Sequence, residues 1–275
     1  MEIKIGIMQG RLSKQEGFKI QEFPKKSWEY EFASAKKIGF ELIEWVFDSK
    51  DNPILDDSKL EDISKKTTEY NISINSIIAD FFMEHSLSKE YDKLNENVEI
   101  LKKLIVNAHK LGIKIIEIPL VDTSSLKSKE EIKILENRIK EIIPILEKNQ
   151  IILGLETDLK PRDFAKLLKR INHPNVKANY DSGNSASLGY DPFEEFEVIG
   201  KWIKNIHIKD RLLKGNTVPL GTGDVDFDIL FKLLKKHDYK GNLIIQGARE
   251  TKESPEETSS KYLKFVKQYV DKYLN

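Results

Sequence analysis

Short apolar strands alternate with amphipathic helices along the whole of this chain, and few folds accommodate such a pattern. Two copies of one segment, KIGFELIE from Lys37 to Glu44 and KLGIKIIE from Lys110 to Glu117, begin 73 residues apart. Each copy runs from a helix end through a glycine into an apolar strand that closes on glutamate. The spacing is about two βα units, since a barrel of ~250 residues divides into eight units of ~31 residues.

Short β-branched runs predict eight strands, separated by segments with helical periodicity. The strands are predicted at Ile3 to Met8, Leu42 to Val46, Ser73 to Ile78, Ile113 to Ile118, Ile151 to Glu156, Val176 to Tyr180, Ile203 to Ile208 and Leu243 to Gln246. Capping boxes begin helices at Ser128 and Ser254, and Gly39 and Gly112 stand where a left-handed residue would end one. With no linker between its halves, the chain is predicted to be a single (β/α)8 TIM barrel over residues 1–275.

A doubly wound open sheet is the alternative fold. Its dinucleotide-binding form needs a glycine-rich turn after the first strand. The only similar sequence, Gly221-Thr-Gly-Asp224, follows the seventh predicted strand and lacks the required spacing. The barrel is therefore favoured.

Composition limits the function classes. Lys and Arg total 45 and so do Asp and Glu, which argues against nucleic acid or an anionic membrane surface as a partner. There is no cysteine, so a metal ion would need His, carboxylate, amide or carbonyl ligands. The first ten residues lack a signal-peptide pattern, and the apolar runs are far shorter than the ~20 residues of a membrane span. We expect a cytoplasmic enzyme whose substrate is a small molecule.

Polar residues end four consecutive predicted strands, at the rim where barrels build their active sites. They are Glu156, Asp181, His207 and Gln246. Two carboxylates, an imidazole and an amide oxygen suit one divalent ion, with Mn²⁺, Mg²⁺ or Co²⁺ favoured and Zn²⁺ less so. Each residue alone is more simply a satisfied strand end, but their joint occurrence favours a metal site.

Several motifs carry a resemblance to a known family. The chain resembles the xylose isomerase-like TIM barrels of the sugar phosphate isomerase/epimerase group, which also contains dehydratases and apurinic-site endonucleases. The resemblance covers nearly the whole chain. Its motifs are GIMQGRL from Gly6, FELIEW from Phe40, ADFFM from Ala79, GLE ending at Glu156, YDSGN from Tyr180, HIKD from His207 and PLGTGDVDF from Pro219.

The resemblance implies roles for the strand-end residues. In the epimerases of the group, a glutamate, an aspartate, a histidine and a second glutamate hold one divalent ion, and these roles fall on Glu156, Asp181, His207 and the position of Gln246. Gln246 is a departure, because an amide oxygen can bind a metal but cannot accept a proton at neutral pH. Asn184 is a second departure, since the ketose epimerases usually place histidine there.

The working mechanism is isomerisation or epimerisation of a sugar, sugar phosphate or polyol through an enediolate that the ion stabilises. Glu156 would act as base as well as ligand. With Gln246 opposite, a second acid is needed, and Lys209 and His85 are the candidates. The alternative for Lys209 is to extend into solvent and pair with Asp210.

Five further residues are candidates for substrate binding. Arg11 and Arg249 lie just past the first and eighth strands, where a guanidinium can anchor a phosphate or carboxylate. Glu44 would orient substrate or pair with an arginine, and Asp80 would contact substrate or cap a loop. Asn184 completes the set. The stretch from Arg11 to Lys26, with Phe18, is a candidate lid.

Three alternatives stay open or are disfavoured. A dehydratase of the inosose or dehydroshikimate type would use the same metal site. A non-catalytic sugar-binding barrel would treat Gln246 and Asn184 as signs of a decayed site. An endonuclease would need three zinc ions and many histidines, yet only His85 and His207 map to the rim. Barrels of this group are often dimers or tetramers, so a homo-oligomer is expected.

Overall fold

The computed structural model of the protein describes residues 3–17, 21–89 and 93–274. Phe18, in the candidate lid, lies outside these residues. Eight parallel strands close into a barrel in the order β1-β10-β7-β6-β5-β4-β3-β2, which confirms the predicted (β/α)8 fold. The barrel strands are β1 (Ile5–Met8), β2 (Leu42–Val46), β3 (Ser73–Ile78), β4 (Ile115–Leu120), β5 (Ile152–Thr157), β6 (Val176–Asp181), β7 (Ile203–Ile208) and β10 (Asn242–Ile245).

Helices cover the outside of the barrel. They are α1 (Trp28–Ile38), α2 (Leu60–Tyr70), α3 (Phe81–Glu84), α4 (Leu94–Lys110), α5 (Lys129–Asn149), α6 (Pro161–Ile171), α7 (Ser182–Leu188), α8 (Pro192–Ile199), α9 (Phe227–Lys236) and α10 (Pro255–Tyr273). Short 3₁₀ turns lie at Pro53–Leu55, Asp57–Lys59, Asp122–Ser124 and Gly200–Trp202. In the described part of the chain, no helix is long and apolar enough to cross a membrane.

The helix boundaries follow from local capping chemistry. Ser128 and Ser254 both form complete capping boxes, at the starts of α5 and α10. Gly39 ends α1 with φ of 99°, a left-handed conformation that glycine adopts without a Cβ clash. Gly112, with φ of 75°, lies just after α4. The predicted helix starts and ends are confirmed at these positions.

The connection after β7 differs from the prediction. The strands Asp210–Arg211 (β8) and Thr217–Val218 (β9) form a small antiparallel hairpin above the barrel. Asp210 does not pair with Lys209; its carboxylate accepts hydrogen bonds from the main-chain N–H groups of Gly221, Gly223 and Val225. The glycine-rich sequence is therefore a loop organised around one buried carboxylate.

Close packing sets the barrel interior. At Gly6 on β1, an added Cβ would lie 2.0 Å from Leu42 Cδ1 and 2.9 Å from Ile244 Cδ1, so only glycine fits there. Two register shifts interrupt the parallel ladders, between Ile43 and Glu44 on β2 and between Ala178 and Asn179 on β6. Each shift comes directly before a polar residue that points to the site described next.

Candidate metal centre

Three of the four strand-end residues meet at the top of the barrel. Glu156 lies on β5, Asp181 ends β6, and His207 lies on β7 directly opposite Asp181 in the parallel register. One ligand atom from each lies within 4.8 Å of the other two, and all three residues are buried. This arrangement could hold a metal ion, as the sequence predicts.

The imidazole of His207 lies between carboxylates on both sides. Its Nδ1 is 3.5 Å from Glu156 Oε2, while its Nε2 lies 2.7 Å from Glu44 Oε2 and 3.0 Å from Glu117 Oε2. Burial alone would lower the pKa of His207, but Glu117 and Glu44 outweigh it and raise the pKa well above its ordinary value. The surrounding carboxylates therefore favour the protonated form of His207.

Glu156 is held in one orientation by two amides. Asn179 Nδ2 donates to Oε2 at 2.8 Å, and Asn184 Nδ2 donates to Oε1 at 2.7 Å. Burial would raise the pKa of Glu156, yet the hydrogen bond and charge of His207 lower it to about 2. Glu156 is thus an ionised carboxylate with a fixed direction, which is what a ligand or a base requires.

Lys209 and Asn184 lie together on one side of this cluster. Lys209 Nζ is 3.2 Å from Asp181 Oδ2 and 3.3 Å from Asn184 Oδ1. Arg211 Nη1 donates to the same Asn184 oxygen at 2.8 Å. The Lys209 side chain is largely buried, so the structure places it in the site rather than at the surface beside Asp210.

Gln246 is linked to a second carboxyl group on the far side of the site. Its Nε2 donates to Gln21 Oε1 at 2.7 Å, and Gln21 Nε2 donates to Asp80 Oδ2 at 2.5 Å. The Oε1 of Gln246 is buried and has no hydrogen-bond partner among the described residues. Because the amide nitrogen is already used, the vacant oxygen suits the fourth ligand position that the sequence predicts for Gln246.

Asp80 has the proton affinity of a group that works near neutral pH. Loss of solvation raises its pKa to about 7, and the negative charge of Glu156 contributes to the increase. The hydrogen bond from Gln21 lowers the pKa and so limits that rise. The structure therefore offers a titratable carboxyl beside the glutamine that cannot take a proton.

Two further predicted site residues, Glu44 and His85, have other partners. Glu44 is fully buried, and its carboxylate accepts hydrogen bonds from Ser76 and Asn205 besides contacting His207. His85 ends α3 and stacks on Phe81 with ring centroids 4.2 Å apart.

The two predicted anchoring arginines brace main-chain segments. Arg11 Nε donates to Gly247 O at 3.1 Å, and Arg249 Nη1 donates to Ser13 O at 3.0 Å. Arg249 Nη2 donates to Gly10 O. Both side chains line a cavity beside α10.

Sequence reasoning missed Glu117 and Asn179 as site residues. Glu117 lies on β4, whereas the predicted ligands come only from the fifth to eighth predicted strands. The repeated segments contain the signal, because their closing glutamates are Glu44 and Glu117, which meet at His207 Nε2. Asn179 precedes Asp181 by two residues and so lies on the same strand face.

The protein is thus a parallel TIM barrel with an oxygen-rich donor set at the carboxyl ends of its strands, which could hold a metal ion. A sequence model of the family "Xylose isomerase-like TIM barrel" matches residues 32–269, and the chain belongs to this family. L-ribulose-5-phosphate 3-epimerase UlaE of Salmonella heidelberg is 26% identical over 254 residues, covering 87% of this chain and 89% of that protein.

Two solved structures show the same fold. A xylose isomerase domain protein from Planctomyces limnophilus superposes with a TM-score of 0.80 at 18% identity and 99% coverage of both chains. The IOLI protein, solved with a bound zinc atom, superposes with a TM-score of 0.78 at 20% identity, covering 98% of this chain and 99% of that one.

Proposed function

We propose that the protein is a divalent-metal-dependent isomerase or epimerase that acts on a ketose, a ketose phosphate or a related polyol. The observation that supports this most is the ionised Glu156, fixed by Asn179 and Asn184 beside Asp181 and His207. The Salmonella relative, an epimerase of a ketose phosphate, supports the same reaction class.

The residues present fit a metal ion. Glu156, Asp181 and His207 offer ligand atoms in one cluster, and Gln246 offers a buried oxygen without a partner in the described part of the chain. When bound, a divalent ion polarises the sugar carbonyl and stabilises the charge that develops as a neighbouring C–H bond breaks. The carboxylate-rich set favours Mn²⁺, Mg²⁺ or Co²⁺, and the zinc in a structural neighbour keeps Zn²⁺ among the ions to test.

The proton chemistry belongs to the chain's own residues. Glu156 is ionised and takes the proton from the carbon next to the carbonyl. Asp80, with a pKa of about 7, keeps its proton below neutral pH and returns one on the other side. Lys209, held by Asp181 and Asn184, donates a hydrogen bond to a substrate oxygen. Asp80 thus takes the role that Gln246 cannot fill.

The test combines metal analysis with hydrogen exchange. Protein loaded with each metal in turn is expected to retain about one ion per chain, and to catalyse deuterium uptake from D2O into a ketose or ketose phosphate, followed by NMR. Glu156→Gln should lower the exchange rate by about 10²- to 10⁴-fold, since general acid–base groups contribute that much.

Glu147→Gln, a carboxylate at the end of α5, is the matched control and should exchange as the wild type does. If protein incubated with excess metal retains no ion after the free metal is removed, the proposed metal site is wrong. Undiminished exchange in Glu156→Gln with an unchanged circular dichroism spectrum would show that the base lies elsewhere.

A further inference from the structure

A cavity of mixed apolar and polar lining lies beside the candidate metal centre. Its volume is about 330 Å³, and it is enclosed by the segment after β10 and the first turns of α10. The wall begins at Gly247, one residue after Gln246, and includes Arg11 from the end of β1. In TIM barrels, phosphate groups are frequently bound by the last strand-to-helix loops together with a helix start.

Three basic and two acidic side chains contribute to this wall, and the basic ones are Arg11, Lys14 and Arg249. Arg11 is 9% exposed, Arg249 is partly buried, and Lys14 is exposed at the edge. Burial and, to a smaller extent, the positive charge of Arg249 lower the pKa of Arg11 to about 10. Arg249 donates both Nη groups to main-chain carbonyls, and the negative charges of Glu31 and Glu22 offset part of its positive charge. An anion in the cavity would relieve the repulsion between the guanidinium groups.

Unpartnered polar atoms provide an independent observation. Three residues that line the cavity carry a buried atom with no hydrogen-bond partner in the described ranges: Arg249 Nε, Thr258 Oγ1 and Glu253 Oε2. Thr258 is only 6% exposed. Buried polar atoms are rarely left unpaired, so this grouping indicates a ligand with acceptor oxygens for Arg249 and Thr258 and a hydroxyl donor for Glu253.

We propose that this cavity binds a phosphorylated polyol, with the phosphate near Arg11, Lys14 and Arg249 and a hydroxyl group directed to Glu253. The chemistry is that of a phosphate monoester. The source is either the substrate's own phosphate, an assignment that rests on the proposed function, or a separate phosphorylated metabolite.

Calorimetric titration of the metal-replete protein with glycerol 3-phosphate, and with glycerol as the uncharged probe, tests the proposal. Glycerol 3-phosphate is expected to bind and glycerol is not. Arg249→Gln should weaken binding about 10-fold or more, and Thr258→Val about 2- to 10-fold, from the usual worth of charged and neutral hydrogen bonds. Glu250→Gln should tighten binding up to about 5-fold by removing a like charge from the wall.

Arg249→Gln can alter the main-chain segments that Arg249 holds. Thr258→Val does not remove those contacts, so it tests the site independently. Lys14→Met removes a charge from the cavity edge, and Lys252→Met removes an exposed one that does not line it. Weaker binding in the first and unchanged binding in the second supports the site. Equal dissociation constants for wild type, Thr258→Val and Lys14→Met would overturn it and assign the phosphate to the metal.

Steady-state kinetics distinguish the two sources of the phosphate group. The substrate is a ketose phosphate into which the protein catalyses deuterium uptake. Competitive inhibition by glycerol 3-phosphate, with a raised KM in Thr258→Val, assigns the phosphate to the substrate. Noncompetitive behaviour assigns it to a separate metabolite at the same cavity. Calorimetry needs no turnover, so failure of the proposed enzymatic activity is distinguishable from failure of this site.

Discussion

The ring of His207 is fixed from behind by Glu44, whose carboxylate is itself held by Ser76 and Asn205. A histidine that ligates a metal through one nitrogen commonly donates its other N–H to a carboxylate, which sets the tautomer and the ring direction. Here the Nε2 side is occupied, so Nδ1 is the nitrogen left for the cluster of Glu156 and Asp181. We therefore propose that Glu44 positions the ring of His207.

Asp80 sets the expected pH dependence of turnover. With a pKa of about 7 it loses its proton as the pH rises through neutrality, so kcat/KM of the wild type should fall above about pH 7. Asp80→Asn should lower kcat/KM by about 10²-fold or more and leave a pH profile without that descending limb. Initial rates of exchange between pH 5 and 9 measure both effects.

Asp122→Asn is the control for Asp80→Asn. Asp122 is exposed just past β4 and has φ of 50°, a conformation that asparagine tolerates. Its profile should match that of the wild type. If Asp80→Asn keeps the descending limb, the proton comes from another group, and Lys209 becomes the next to substitute.

Three residues of the candidate site could be predicted from their positions in the sequence. Glu156, Asp181 and His207 were found because each closes an apolar run, and parallel strands bring such ends together. The contacts of Glu44 and Asp80 could not be predicted, because they join distant parts of the chain. Glu44 and His207 are 163 positions apart. Gln21 is 59 positions from Asp80 and 225 from Gln246, and it hydrogen-bonds to both.

At the scale of elements, a buried carboxyl joins β6, α7 and α8. Glu195 on α8 accepts hydrogen bonds from Tyr180 on β6 and from Ser185 on α7. Loss of solvation raises the pKa of Glu195 to about 7 despite these two bonds. The predicted alternation of strands and helical segments did not show this arrangement, because a turn at residues 189–191 divides the segment between β6 and β7 into two helices.

Glu195 makes stability depend on pH. Its folded pKa is raised, so its contribution is fully present below the unfolded pKa of ~4.3 and is lost as pH rises through about 7. The loss of unfolding free energy should be about 3–4 kcal/mol, from a pKa shift of that size. Glu195→Gln cannot ionise, so its melting temperature should fall less than that of the wild type between pH 5 and 8.5.

Thermal melts at the two pH values check this, with Glu197→Gln, exposed two residues further along α8, as the control. Parallel behaviour of Glu195→Gln and the wild type would mean that another group governs the pH dependence.

At the scale of the whole molecule, closure of the barrel depends on space at its axis. Gly6→Ala places a methyl group 2.0 Å from Leu42 Cδ1, which must move together with Ile244. Overpacking of this kind costs about 1–3 kcal/mol of unfolding free energy, measurable by urea denaturation. Gly154→Ala on β5 is the matched control, because its Cβ would meet Ile115 Cγ2 at an ordinary 3.6 Å. Equal losses in both variants would contradict this account.

The two register shifts, before Glu44 and before Asn179, have a consequence for how this barrel tolerates change in chain length. Side chains along a strand alternate between two faces, so one extra residue on a partner strand reverses which of its residues point inward from there on. Ser76 and Asn205, each just past a shift, are the residues that bind Glu44. Deletion of a single residue from β3 or β7 would therefore turn polar side chains out of the interior and apolar side chains into it. A substitution on either strand keeps the alternation of inward-facing and outward-facing side chains.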